Sequence, residues 1–179
     1  VFGYEIAYQH LLKLLSEGYE DVLLDANHWF YLRRRNYVAQ AVSHYRAVQS
    51  NVFHSYQSSE PIPETPYDGK QIKKFASGLM AAEYNWREFF DQRNIQPVAL
   101  WYEDLVAMEE AGILRIFQDS LGISDISKVQ PKEIANPLTK VSDAHSDQLT
   151  EKFLAKEADF VSYWNENRGE ERPSALSKL

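Results

Sequence analysis

The chain has 179 residues, 44% of them apolar, with 19 basic and 26 acidic side chains and a formal net charge of −7. The apolar share is that of a globular chain and not of a disordered one, and roughly 180 residues can bury about two-thirds of their unfolded surface, enough for one domain with a core. The acidic balance argues against a general nucleic-acid binder, and the absence of Cys excludes disulfides, thiolate catalysis and Cys-based zinc sites and fits a cytoplasmic location. No apolar run approaches the roughly 20 residues of a transmembrane helix. No signal peptide is read at the start, which is Val1 rather than Met.

Ile6, Leu11, Leu14 and Leu15, followed by Gly18, predict a helix over 4–16. The short apolar run at 22–24 reads as a strand, and the apolar, aromatic run at 29–32 as a stronger one. Arg33, Arg34 and Arg35 follow. Val38, Ala41, Val42, Tyr45 and Val48 then recur at helical spacing, so the order is strand, basic turn, helix. A polar stretch over 55–70 carries Pro61, Pro63 and Pro66 and reads as a binding loop or a surface excursion. Ile72, Phe75, Ala76, Leu79, Trp86 and Phe89 predict a helix over 71–90. Residues 97–101 read as a second strand, and 105–121 as a helix ended by Gly122. Residues 127–139 read as irregular. A last helix over 147–164 turns Leu149, Phe153, Phe160, Val161 and Trp164 inward, and 168–179 form a frayed tail. Short strands between helices imply an α/β domain in which helix dominates and the sheet is mainly parallel. Ligands of such sheets bind beyond the carboxyl ends of the strands, where the arginine turn sits.

Arg35 ends the first good strand, and Ser43 lies eight residues later, about two turns into the helix. A guanidinium offers a planar fork of donors that suits a phosphate. A Ser hydroxyl adds another hydrogen bond, and a helix N-terminus adds N–H groups and a positive dipole end. These residues form a candidate phosphate site without a Gly-rich loop. The competing reading of the same residues is a solvated basic turn followed by a helix-surface Ser.

Arg35-Asn36, with Ser43 at the eighth position in a strand-turn-helix, resembles the 3′-phosphate-binding motif of sulfotransferases that use 3′-phosphoadenosine 5′-phosphosulfate. The fuller string, Leu32-Arg33-Arg34-Arg35 through Gln40-Ala41-Val42-Ser43 to Arg46-Ala47-Val48-Gln49, is most similar to the bacterial trehalose 2-sulfotransferase family. Trp86 and Phe89-Phe90 lead to Ile95-Gln96-Pro97 and then to Leu100-Trp101-Tyr102-Glu103-Asp104-Leu105. That order resembles the Tyr-Glu-Asp-Leu element that sulfotransferases carry after a strand, before a helix ending here near Leu121-Gly122-Ile123. Val1-Phe2-Gly3 looks like the start of a helix just after the family's N-terminal region. The resemblance runs from Val1 to about Phe153 and rests on the order and spacing of its motifs.

The resemblance implies a helix-rich α/β fold like that of P-loop NTPases, with a small central parallel sheet. One sulfotransferase-like domain would cover 1–167, the C-terminal two-thirds of the family's domain, with a tail at 168–179. It implies a sulfotransferase that moves a sulfuryl group from 3′-phosphoadenosine 5′-phosphosulfate to a hydroxyl of a carbohydrate or glycolipid, with no metal required. Arg35 and Ser43 would hold the 3′-phosphate. Lys140, in Leu138-Thr139-Lys140-Val141-Ser142-Asp143, is similar in position to a C-terminal basic segment that reaches the nucleotide, although the family more often has Arg there. Tyr102, Glu103 and Asp104 read as structural, with a carboxylate capping the next helix. The catalytic base is unassigned. His54 is a candidate, because some sulfotransferases use a His base; the other histidines, His10, His28, His44 and His145, are scattered and suggest no metal-ligand cluster. Trp86 and Trp164 read as core.

The departures from the family also count. None of the glycines, Gly3, Gly18, Gly69, Gly78, Gly112, Gly122 and Gly169, lies in the strand-loop-helix context of a phosphosulfate loop. In the family that loop and the proposed base precede the region matched by Val1. The chain is therefore expected to lack that N-terminal portion and to hold half of the cofactor site, and activity of this piece alone is left open. The expected partner is a small-molecule carbohydrate or glycolipid acceptor, with no nucleic acid and no membrane span; a homodimer is neither shown nor excluded. Two other readings stand beside it. One is a non-catalytic nucleotide- or glycan-binding module of the same fold. The other is a helical interaction domain whose arginine turn meets an acidic partner.

Overall fold

The computed structural model describes residues 5–26, 28–53, 64–123 and 143–168. His54, Lys140, most of the proline-rich loop, the irregular stretch at 127–139 and all but the first residue of the expected tail lie outside the described residues. The elements run α1 (Tyr8–Ser16), α2 (Glu20–Leu24), β1 (Phe30–Arg33), α3 (Tyr37–Ser50), α4 (Gly69–Gln92), β2 (Val98–Trp101), α5 (Tyr102–Ala107), α6 (Glu110–Leu121), α7 (Ala144–Lys156) and α8 (Ala158–Asn167). This is a helix-rich α/β chain with a small parallel sheet. Among the described residues no helix is long and apolar enough to cross a membrane. The chain divides into two compact units, one of Val1–Arg35 with Ala82–Lys128 and one of Asn36–Ala81 with Val129–Leu179.

In the first unit β1 and β2 pair in parallel, with Phe30 opposite Val98 and Arg33 opposite Trp101. The core beside them is aromatic because Trp86, Phe89 and Phe90 stand three and four residues apart and so share one face of α4. Trp86 stacks on Phe90 at 5.3 Å, and Trp29 meets Phe89 at a tilt at 5.5 Å and Phe90 edge-on at 5.8 Å. Leu11 of α1 and Leu23 of α2 are buried in the same cluster. Phe30 meets Phe117 of α6 at 4.7 Å.

Two expectations fail in this unit. Residues 22–24 are not a strand: Leu23 is 2% exposed while Val22 and Leu24 are 68% and 40% exposed. The out-in-out burial of so short a run fits a strand as well as a helix; the backbone decides, because the Leu23 N–H bonds the Tyr19 carbonyl and the Asp25 N–H the Asp21 carbonyl, as in a helical turn. Glu20 and Asp21 favour the positive end of that turn, and Glu20 also bonds Arg93. Residues 105–121 are not one helix. The backbone turns extended at Met108 and Glu109, and α6 starts afresh behind an acidic residue. Gly122 does end α6, with φ +63°.

In the second unit Tyr37, Val38, Ala41, Val42 and Tyr45 form the buried stripe of α3, which packs against α7. Ile72, Ala76 and Met80, four residues apart, are the buried line of α4 in this unit. Leu149 and Phe153 of α7 and Trp164 of α8 are also buried. The single helix expected over 147–164 is two helices. Glu157 breaks it at φ −121°, ψ 34°, where its carboxylate pairs with Lys73 at 2.5 Å.

Candidate functional site

Parallel strands end on the same edge of their sheet, and the last register pair here is Arg33 with Trp101. Past that pair β1 continues into Arg34 and Arg35, while β2 runs straight into α5 with Tyr102, Glu103 and Asp104. The two carboxyl ends therefore bring three guanidinium groups against aromatic rings and carboxylates. Arg33 bonds Glu83 at 3.2 Å and lies over the Trp101 ring at 4.5 Å. Arg34 lies over Tyr102 at 4.0 Å. Arg35 places both terminal nitrogens on Asp104, at 2.6 and 2.7 Å, and its backbone N–H donates to Glu103 Oε2 at 3.0 Å. Its guanidinium carbon sits 5.0 Å from the Trp101 ring centre.

Each partner holds the other in its charged form. The hydrogen bonds from Arg35 keep the Asp104 carboxyl below the usual carboxylate range, and Asp104 raises the pKa of the guanidinium. Both side chains are about half exposed. A pair this open to water adds little to stability. What the bidentate geometry fixes is direction: the plane and the end of Arg35.

The expected role of the carboxylates after β2 needs correction. Neither Glu103 nor Asp104 caps α5. The helix begins at Tyr102, its N-cap Trp101 makes no side-chain cap bond, and the carboxylates stand inside the first turn, where they reach Arg35. Trp101 carries two guanidinium groups.

Ser43 lies in the second unit and is exposed on α3. The N-terminus of that helix is capped by Asn36, whose side chain accepts from the Ala39 N–H at 2.9 Å. Arg46, three residues beyond Ser43, is only 5% exposed. It donates to both oxygens of Asp143, at 2.5 and 3.0 Å, and to the Ser146 hydroxyl. Asp143 also caps α7 by accepting from the Ser146 N–H at 2.9 Å. These bonds pull its carboxyl down to about 2. In the same unit His145 Nε2 lies 3.1 Å from the N–H nitrogen and 2.9 Å from the carbonyl oxygen of Thr65. Glu64, Tyr67, His145, Gln148 and Lys152 border a cavity of about 380 Å³ there.

Of the residues expected to bind the nucleotide, Arg35 is therefore seen with its partners and Ser43 is seen on its helix. Lys140 and the candidate base His54 lie outside the described residues. The pairing of Arg35 with Asp104 was not legible in the sequence. Arg46 left a signal: it falls on the same stripe as Val38, Val42 and Tyr45, and a buried arginine requires a carboxylate partner. Among the described glycines none lies between a strand and a following helix; Gly18 and Gly122 follow α1 and α6, and Gly69, Gly78 and Gly112 lie within α4 and α6. Among the described residues no three His, Asp or Glu side chains converge as metal ligands would.

Comparison with known proteins gives a consistent result. The family model described as Stf0 sulphotransferase matches residues 10–156. A trehalose 2-sulfotransferase of Mycobacterium tuberculosis is 24% identical over 143 residues, which cover 79% of this chain and 51% of that protein. A trehalose 2-sulfotransferase of Mycolicibacterium smegmatis is 26% identical over 123 residues, covering 69% of this chain and 44% of that protein. The chain spans about half the length of the curated relatives it matches.

Proposed function

The chain belongs to the Stf0 sulphotransferase family, and on that premise we propose that it serves the transfer of a sulfuryl group from 3′-phosphoadenosine 5′-phosphosulfate to a carbohydrate or glycolipid hydroxyl. The observation that carries this reading is Arg35, a guanidinium held in a fixed direction at the carboxyl end of a parallel strand that feeds a helix. A planar fork so placed suits the 3′-phosphate of the nucleotide. The exposed hydroxyl of Ser43 and the ammonium of Lys140 complete the proposed set of phosphate ligands, Lys140 on the strength of the resemblance. His54 is the proposed candidate for the base that takes the acceptor proton. Both units belong, in this reading, to one domain over 1–167, with 168–179 as a tail. The names of the two relatives support a small carbohydrate as acceptor. The absence of Cys accords with a cytoplasmic site of action.

The chemistry asks for orientation and charge stabilisation. The donor supplies the sulfuryl group, and its bisphosphate must be held so that the acceptor oxygen, the sulfur and the leaving oxygen stand in line. Arg35 contributes by anchoring the end of the nucleotide remote from the transferred group, where binding energy sets the position of the reacting end.

The test is the Arg35→Ala variant. Its affinity for adenosine 3′,5′-bisphosphate, measured by calorimetry, should fall about 10- to 100-fold, the range for a charge-assisted hydrogen bond. Unchanged affinity would remove Arg35 from the site.

A further inference from the structure

Arg35 is held from three directions by residues of one short stretch. Trp101 at the end of β2 faces its guanidinium, Glu103 takes its backbone N–H, and Asp104 takes both terminal nitrogens. Glu103 and Asp104 stand in the first turn of α5, which follows β2 without a loop. The register of β1 against β2 therefore fixes where these carboxylates meet Arg35. The N-terminal turn of a helix also favours negative charge, so the carboxylates are stable there.

We propose that Asp104 and Glu103 are positioning residues, which set the backbone and guanidinium of Arg35 in the orientation that receives the nucleotide 3′-phosphate. The proposal rests on the reading that Arg35 binds that phosphate. A free arginine side chain samples many rotamers, and ordering it at the moment of binding costs affinity. Asp104 removes that cost before the ligand arrives. The same carboxylate also opposes the negative charge of a phosphate. Both partners are about half exposed, so water and salt weaken that repulsion, and the Glu103 bond to the Arg35 backbone and the Trp101 ring hold the same orientation beside the ion pair. The sign of the Asp104→Ala effect reads which of the two dominates, and the proposal requires preorganisation.

The experiment compares wild type, Asp104→Ala, Asp104→Asn, Arg35→Ala and the double variant Arg35→Ala/Asp104→Ala, each shown to be folded by thermal melting. Adenosine 3′,5′-bisphosphate and adenosine 5′-phosphate are the two probes. Asp104→Ala should weaken the bisphosphate about three- to tenfold, the range for ordering one long side chain, and leave the 5′-phosphate unchanged. Asp104→Asn keeps one acceptor oxygen and should lose less; it also serves if the alanine variant does not fold. In the Arg35→Ala background the effect of Asp104→Ala should vanish. A purely structural role for Asp104 would affect both probes alike. Unchanged or tighter bisphosphate binding in Asp104→Ala, with Arg35→Ala still weakened, overturns the proposal alone and makes Asp104 a competitor for the arginine. Arg35→Ala binding as wild type, or no bisphosphate binding by wild type, overturns the underlying reading and the proposal together.

Discussion

Arg46 and Asp143 form a two-pronged ion pair in the second unit. Arg46 is nearly sealed from water, and its terminal nitrogens bond Asp143 and Ser146 at the N-terminus of α7. Asp143→Ala leaves a buried guanidinium without its carboxylate and removes a helix cap; it should destabilise the chain by about 1–3 kcal/mol in chemical denaturation. The lower part of a buried-pair range applies because Asp143 itself is about half exposed. The pH dependence has a definite sign. The Asp143 carboxyl is held at about 2 in the folded chain against an ordinary 3.8. A depressed carboxylate stabilises the fold fully above the unfolded value and loses that contribution as pH falls through the folded one. The stability gap between wild type and Asp143→Asn should be constant near neutral pH and close between about pH 4 and pH 2; a gap that widens in acid would contradict the assignment. At this scale the sequence is only half legible. Arg35 could be placed at a strand end by local pattern, but its partner Asp104 lies 69 residues away. No local pattern encodes such a pairing; only the β1–β2 register brings the two together.

The helices show what periodicity can and cannot reveal. The apolar spacing of α1, α3 and α4 predicts their existence, but α1 starts at Tyr8 rather than at residue 4, and α4 runs two residues further at each end than the spacing suggests. It does not predict the breaks at Met108–Glu109 and at Glu157, because the apolar pattern runs on across both. A close approach lies at the first break. A Cβ on Gly112 would stand 2.6 Å from Met108 Cγ, so glycine lets the Met108 side chain fold back over the start of α6. In an open helical position Gly→Ala stabilises by about 0.5–1 kcal/mol. Gly112→Ala should instead destabilise the wild type and regain the ordinary stabilising sign in a Met108→Ala background, as denaturation midpoints would show. A stabilising Gly112→Ala in the wild type would mean that Met108 moves away freely. Gly122 is a different case. Open space surrounds its Cβ position, and the cost of Gly122→Ala comes from φ +63° alone, about 1 kcal/mol.

At the scale of the whole molecule, the α/β class with a small parallel sheet follows from two aromatic and apolar strands set between amphipathic helices, and the resemblance to sulfotransferases follows from motif order. Family membership confirms the second. Less legible was the electrostatic character of the arginine turn. Three consecutive arginines suggest a positive patch, yet two of them are engaged by carboxylates from distant parts of the chain. A turn so balanced has less of the open positive charge that attracts anions in general. We propose that the contact made by this turn is with the 3′-phosphate of an adenine nucleotide. The most direct test is calorimetric titration of the wild-type chain with adenosine 3′,5′-bisphosphate and, in parallel, with adenosine 5′-phosphate. The first should bind, and the second should bind at least about tenfold more weakly, the worth of one charge-assisted phosphate contact. Equal affinity for the two nucleotides would contradict it.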